Sequence, residues 1–122
     1  MTEKELKART KSVAIAVAKM SLKLDNTKVN NTYIGQILRS SASMGANYRA
    51  ACLGKSKPTF ISKLGDVLEE ADESGYWTEL LVDAGKVDQQ SAASLLNEAR
   101  ELVAITVSSI NTAKRNSGSV QA

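Results

Sequence analysis

The sequence contains no histidine, a single cysteine and a single proline, and aromatic residues make up only 4% of it. Without histidine the chain lacks the commonest general base and metal ligand, and it cannot form histidine-assisted serine or cysteine nucleophiles. The Glu-x-x-His pattern of carboxylate-bridged di-iron bundles is excluded for the same reason. We therefore expect a protein that is not an enzyme, with no catalytic residue, cofactor, metal or small-molecule substrate.

Disulfides and long apolar runs are also missing. The lone thiol of Cys52 is typical of a reducing cytoplasm, and its place on an apolar helix face predicts a buried, structural role. The longest apolar run, "VAIAVA" at 13–18, is far shorter than the roughly 20 residues that span a bilayer. The first ten residues, "MTEKELKART", are charged and lack a secretion-signal core. The sequence predicts a cytoplasmic protein with no membrane contact.

Hydrophobic periodicity and an Ala-, Leu-, Lys- and Glu-rich composition predict four helices. They run from about 4 to 24, from about 32 to 53, from the N-cap Ser56 to about 83, and from the N-cap Asp88 to about 113. Mostly short connections make neighbouring helices antiparallel. We therefore predict an all-α fold, an up-down-up-down antiparallel four-helix bundle over residues 1–115, followed by a disordered tail over 116–122.

A stretch of small residues, "RSSASMGANYRAA" at 39–51, interrupts the good helix formers of the second helix. The simplest interpretation is that Ala42, Gly45 and Ala46 let a neighbouring helix approach closely. A second interpretation comes from the turn near residue 56, which joins helices two and three. If the two helices are antiparallel about that turn, residues that face each other have numbers that sum to about 112. On that register five residues form a partly buried polar cluster that fixes the packing of the two helices: Arg39, Ser43 and Asn47 with Glu69 and Glu73. A direct role of the same residues in ligand binding is the alternative.

The same stretch carries a family resemblance, together with "SKPTFISKL" at 56–64 and "EEADESGYWTELL" at 69–81. These segments resemble the bacterial four-helix-bundle proteins that are encoded in 23S ribosomal RNA intervening sequences, also called the S23 ribosomal protein family. The chain departs from that pattern at Ala50 and Thr59, where the family usually has acidic residues. The resemblance implies a ring-like homo-oligomer, a pentamer. A similar branch, the accessory proteins of diversity-generating retroelements, associates with nucleic acid and a reverse transcriptase.

Charge is distributed unevenly along the chain. Residues 1–63 hold twelve Lys/Arg and three Asp/Glu, whereas residues 64–122 hold four and ten, for a net charge of +3. The basic half predicts phosphate contacts with RNA or DNA that do not read sequence. The residues expected to make these contacts are Lys4, Lys7, Arg9, Lys11, Arg49, Lys55 and Lys57. A solvated helix surface with local ion pairs is the alternative for them.

The same charge asymmetry predicts self-association. A two-fold dimer would place each charged side against itself, whereas identical copies that associate head to tail bring basic and acidic sides together. Apolar residues outside the core pattern are expected at that contact, namely Ile15, Trp77 and Leu80. The main functional hypothesis is a homo-oligomeric scaffold or interaction module, and the alternative is a nucleic-acid-binding protein.

Overall fold

The described residues form four helices in a computed structural model: α1 (Glu3–Ser21), α2 (Lys28–Cys52), α3 (Lys57–Ala84) and α4 (Gln89–Gln121). The structure describes residues 1–85 and 87–121, with the backbone alone for 117–121. Each helix packs against its neighbours in sequence, and α4 returns to contact α1. The predicted all-α, up-down-up-down four-helix bundle is therefore confirmed. Residues 116–121, which were predicted to belong to a disordered tail, are the last residues of α4, and Ala122 lies outside the described residues.

Side-chain hydroxyls define where the first three helices begin. Thr2 and Glu5 form a reciprocal capping box at the start of α1. Thr27 caps α2 by accepting the N–H of Asn30 at 3.0 Å. Ser56 caps α3 as predicted, since its Oγ accepts the N–H of Thr59 at 3.2 Å.

The connection between α1 and α2 is shorter and placed earlier than predicted. Helix α1 ends at Ser21 rather than Leu24, and α2 begins at Lys28 rather than near Thr32. The reason is Asn30, which is buried inside α2 and donates from its amide to the backbone carbonyl of Asp25 at 3.1 Å. This bond fixes the connecting turn against the helix that follows it.

The core follows the predicted apolar spacing with a few differences. Fully buried side chains come from all four helices: Val17, Ile37, Met44, Leu64, Val67, Leu81 and Leu102. Leu38 is 37% exposed although it lies next to the buried Ile37, and the Cys52 thiol, which was predicted to be buried, is only half-buried. Partial burial raises the pKa of that thiol above its usual value.

Of the small residues of α2, Gly45 and Ser40 face two different helices, whereas Ala42 and Ala46, which were predicted to allow close approach of a helix, are exposed. A Cβ added to Gly45 would lie 3.4 Å from the Thr10 hydroxyl oxygen, so α1 approaches α2 closely there. Ser40 points toward α3 instead, where its Oγ lies 2.7 Å from the Oγ of Ser74, and both residues are buried. This hydroxyl pair was not foreseen, although the register that pairs Arg39 with Glu73 also places Ser40 near Ser74.

Candidate functional site

Arg39 is the centre of a charged cluster that joins α2 to α3. Its guanidinium hydrogen-bonds to a carboxylate oxygen of Glu73 and donates to Glu70 at 3.2 Å. It also donates to the side-chain oxygen of Gln36 at 3.1 Å, which orients the arginine along its own helix. The hydrogen bond to Glu73 raises the pKa of the arginine above its ordinary value.

The remaining members of the predicted cluster do not join it. Glu70 occupies the place that was predicted for Glu69, because Glu69 points outward into solvent while Glu70 turns toward α2. Asn47 donates to the Ser43 hydroxyl at 3.1 Å, which is a bond within α2. The cluster is also less buried than predicted, since the Arg39 side chain is 48% exposed.

An aromatic group lies beside this charged cluster. The Trp77 indole N–H donates to Glu73 at 3.1 Å, and the Trp77 ring centroid lies 6.0 Å from that of Tyr33 on α2. Tyr76 meets Trp77 edge-on at 5.4 Å and is itself 55% exposed. Of these three residues only Trp77 was predicted to lie at an interface. Tyr33 could have been predicted to face Trp77, because their numbers sum to 110, close to the sum of about 112 expected for facing residues of α2 and α3.

The predicted nucleic-acid contacts fall into two groups. Lys7 pairs with Glu3 at 3.0 Å within α1, and Arg9 pairs with Glu98 and Glu101 of α4, so both cations are already partnered. The other five are exposed and have no ion-pair partner among the described residues: Lys4, Lys11, Arg49, Lys55 and Lys57. The salt bridge between Arg9 and Glu98 could not be found from local spacing, because it joins the two ends of the sequence.

Most of the unpaired cations lie at one end of the bundle. The alternating helix directions bring together the start of α1, the end of α2, the start of α3 and the described C-terminal part of α4. Lys4, Arg49, Lys55 and Lys57 lie at this end, and α4 adds Lys114 and Arg115, which the sequence reasoning missed. Lys11 lies further along α1. The structure thus gathers positive charge at an end of the bundle rather than only on one side.

Two open grooves follow the contact between α1 and α4. The larger, about 1150 Å³, has Val13, Met20 and Leu95 on its floor and lies toward the α3–α4 turn. The smaller, about 720 Å³, lies near Leu6 and Ile105 at the basic end. The Arg9–Glu98 pair lies near their boundary. Within the described part of the chain, no cluster of His, Cys, Asp or Glu could hold a metal ion, and no helix is long and apolar enough to cross a membrane.

Comparison with known proteins identifies the family. A family model described as 23S rRNA-intervening sequence protein matches residues 4–108, which is most of the chain. The chain belongs to the 23S rRNA-intervening sequence protein family. A solved structure of a protein of unknown function from the S23 ribosomal protein family of Bacteroides thetaiotaomicron VPI-5482 is 32% identical. The match covers 91% of this chain and 99% of that protein, with a TM-score of 0.82. No curated protein matches this chain.

The resemblance drawn from the α2 and α3 motifs is thereby confirmed, and the structure places the two departures from the 23S rRNA-intervening sequence protein pattern. Thr59 is the third residue of α3, where an acidic side chain would complete a capping box with Ser56. Here the Thr59 hydroxyl accepts a bond from the Ser56 hydroxyl at 2.9 Å instead. Ala50 is half-buried near the end of α2.

Proposed function

We propose that this member of the 23S rRNA-intervening sequence protein family is a non-enzymatic, self-associating scaffold or interaction module. In this proposal identical copies associate head to tail in the cytoplasm and close into a ring, and the family resemblance implies a pentamer. The observation that carries the proposal is the aromatic group of Tyr33, Trp77 and Tyr76, which ends in the half-exposed Tyr76 ring and in which Trp77 shares its Glu73 partner with Arg39.

Such a group suits a protein–protein contact because it is rigid before it binds. Trp77 is held by the hydrogen bond to Glu73 and by packing against Tyr33, so the Tyr76 ring rests on a fixed support. A preorganised side chain loses little conformational entropy on association. Aromatic residues and arginine are also the residue types that contribute most of the binding energy in interfaces.

Light scattering on the purified chain at moderate salt tests self-association directly. We expect an oligomer that dissociates into smaller species when Tyr76 is changed to glutamate, because the charge would be buried at the contact. Tyr76 is a better choice than Trp77, since the Trp77 side chain also contributes to packing between α2 and α3. The matched control is Leu53→Glu, at an apolar residue that is exposed in the α2–α3 turn. A parent chain that is monomeric at high concentration would contradict the proposal.

Nucleic-acid binding is the second candidate function, and the unpaired cations at one end of the bundle favour it. Gel shifts at low salt should detect binding that tolerates many sequences and weakens steeply as salt rises. Changing Lys55 and Lys57 to glutamate should weaken it and lower the salt slope by about one for each phosphate that is no longer neutralised. The same change at Lys23 and Lys28, at the opposite end, is the control. No shift with structured RNA, single-stranded RNA or duplex DNA would exclude this candidate.

A further inference from the structure

Helix α1 presents a basic, partly apolar face to solvent. Residues three or four apart in sequence share a helix face, and one such set lies opposite the buried Val13 and Val17. We call this set the α1 face: Lys4, Ala8, Lys11, Ile15, Lys19 and Leu22. All six residues are exposed, Ile15 at the centre is 45% exposed, and the set contains no acidic residue.

Helix α3 presents a face of the opposite sign. We call it the α3 face, and it lies opposite the buried Val67 and Ser74. Its residues are Glu69, Asp72, Tyr76, Glu79, Leu80 and Asp83. Tyr76 and the half-buried Leu80 are its apolar centre, and no basic residue belongs to it. Among the described residues only its Glu79 has an ion-pair partner, Arg100 of α4 at 3.5 Å.

The bundle places these two faces on opposite sides of the molecule. In the described part of the chain α1 and α3 are diagonal helices whose backbones do not approach each other, so their outward faces lie on opposite sides of the bundle. The faces also match in length: at 1.5 Å per residue the α1 face extends about 27 Å and the α3 face about 21 Å. The outward positions of α2 include the small residues Gly35, Ala42 and Ala46.

We propose that the α1 face of one copy docks onto the α3 face of the next, an inference that rests on the self-association proposed above. In this contact Ile15 packs against Tyr76 and Leu80, while lysines on both sides of Ile15 meet acidic residues on both sides of Tyr76. Buried apolar surface supplies most of the affinity, and the charges set the partner and its orientation. Pairing a face with its own copy would oppose like charges, which disfavours a two-fold dimer through either face.

Changing the sign of two charged residues on each face tests this contact. The α1-face variant carries Lys11→Glu and Lys19→Glu, and the α3-face variant carries Asp72→Lys and Asp83→Lys, none of which has an ion-pair partner among the described residues. We expect each variant to weaken self-association at least tenfold in sedimentation or light-scattering experiments. A chain that carries all four changes has the net charge of the parent and exchanges two lysines of the α1 face with two aspartates of the α3 face, so opposite charges face each other again at these positions and it should associate again.

Three further measurements make the result decisive. An equimolar mixture of the two single-face variants should co-assemble, because each supplies the face that the other no longer has. A Lys55→Glu, Lys57→Glu variant has the same charge change as the α1-face variant but lies outside both faces, so it should associate like the parent. Circular dichroism should show unchanged helix content in every variant, since all of these positions are exposed.

The failures of the two proposals are distinguishable. A monomeric parent chain would contradict the self-association and this contact together. A parent that associates while both single-face variants associate equally well would overturn this contact alone. A four-change variant that stays dissociated would overturn it as well, since restored complementarity would then have no effect.

Discussion

The α2–α3 and α1–α4 interfaces are both made by antiparallel helices, yet they are packed very differently. Between α2 and α3 the contact is the most extensive in the bundle, and within it the buried Ser40 and Ser74 hydroxyls lie 2.7 Å apart. Between α1 and α4 the contact is the least extensive. There two open grooves of about 1150 and 720 Å³ follow the contact, and the Arg9–Glu98 salt bridge connects the helices near their boundary.

Small side chains have opposite consequences at these two interfaces. In α2 and α3 the small residues are flanked by buried apolar side chains such as Met44 and Val67, so the helices close around them. Along α1 and α4 the small residues Ser12, Ala16 and Ser94 lie on the walls of the larger groove. Since α1 is drawn toward α2 at Thr10 and Gly45, small residues on its other side leave space instead of closing it.

Of the substitutions that compare the stability of the two interfaces, Ser40→Leu is expected to have the largest effect. The larger side chain would be forced into a filled interior and would leave the Ser74 hydroxyl without its partner, so we expect a loss of about 2–3 kcal/mol of unfolding free energy. The matched change Ser94→Leu, in the α1–α4 groove, should alter stability by less than about 0.5 kcal/mol. Denaturant unfolding at one fixed protein concentration measures both. Equal losses of unfolding free energy in the Ser40→Leu and Ser94→Leu variants would show that the two interfaces are packed alike.

A smaller effect is expected from the salt bridge across the open interface. Arg9 and Glu98 are both about three-quarters buried, and Glu98 accepts from the Arg9 Nε at 3.0 Å. Arg9→Ala should cost about 1–2 kcal/mol, because it removes hydrogen bonds to a charged partner in a partly desolvated place. Amide hydrogen exchange should accelerate in α1 more than in α2 or α3. Uniform acceleration in all four helices would contradict a special role for this pair in holding α1 to α4.

The smallest effect is expected at Arg39, despite its place on the tightly packed interface. Its side chain is 48% exposed, so solvent screens its attraction to Glu73. Arg39→Ala should cost about 0.5 kcal/mol, which is below the value that a buried cluster would have. In a double-mutant cycle with Glu73→Ala the coupling should be a few tenths of a kcal/mol and should shrink as salt rises. A salt-independent coupling above about 2 kcal/mol would mean that the pair behaves as a buried one.

How far the site could be predicted depended on the distance in sequence between its residues. Arg39 and Glu73 were expected to face each other because a short turn near residue 56 fixes the register of α2 against α3. The choice of Glu70 over Glu69 was missed, since one residue turns a side chain by about 100° around the helix. The Arg9–Glu98 pair spans 89 positions, and no local spacing connects two residues that far apart.

By itself the sequence determined that there are four helices, their order, their alternating directions and the family to which the chain belongs. Periodic apolar residues, hydroxyl caps and short turns act within a few residues of each other, so each can be recognised along the chain. Only the tertiary structure decided that the basic α1 face and the acidic α3 face lie on opposite sides, and that cations from different helices meet at one end. Those arrangements depend on how each helix is rotated and paired, and that is set by packing between residues far apart in the chain.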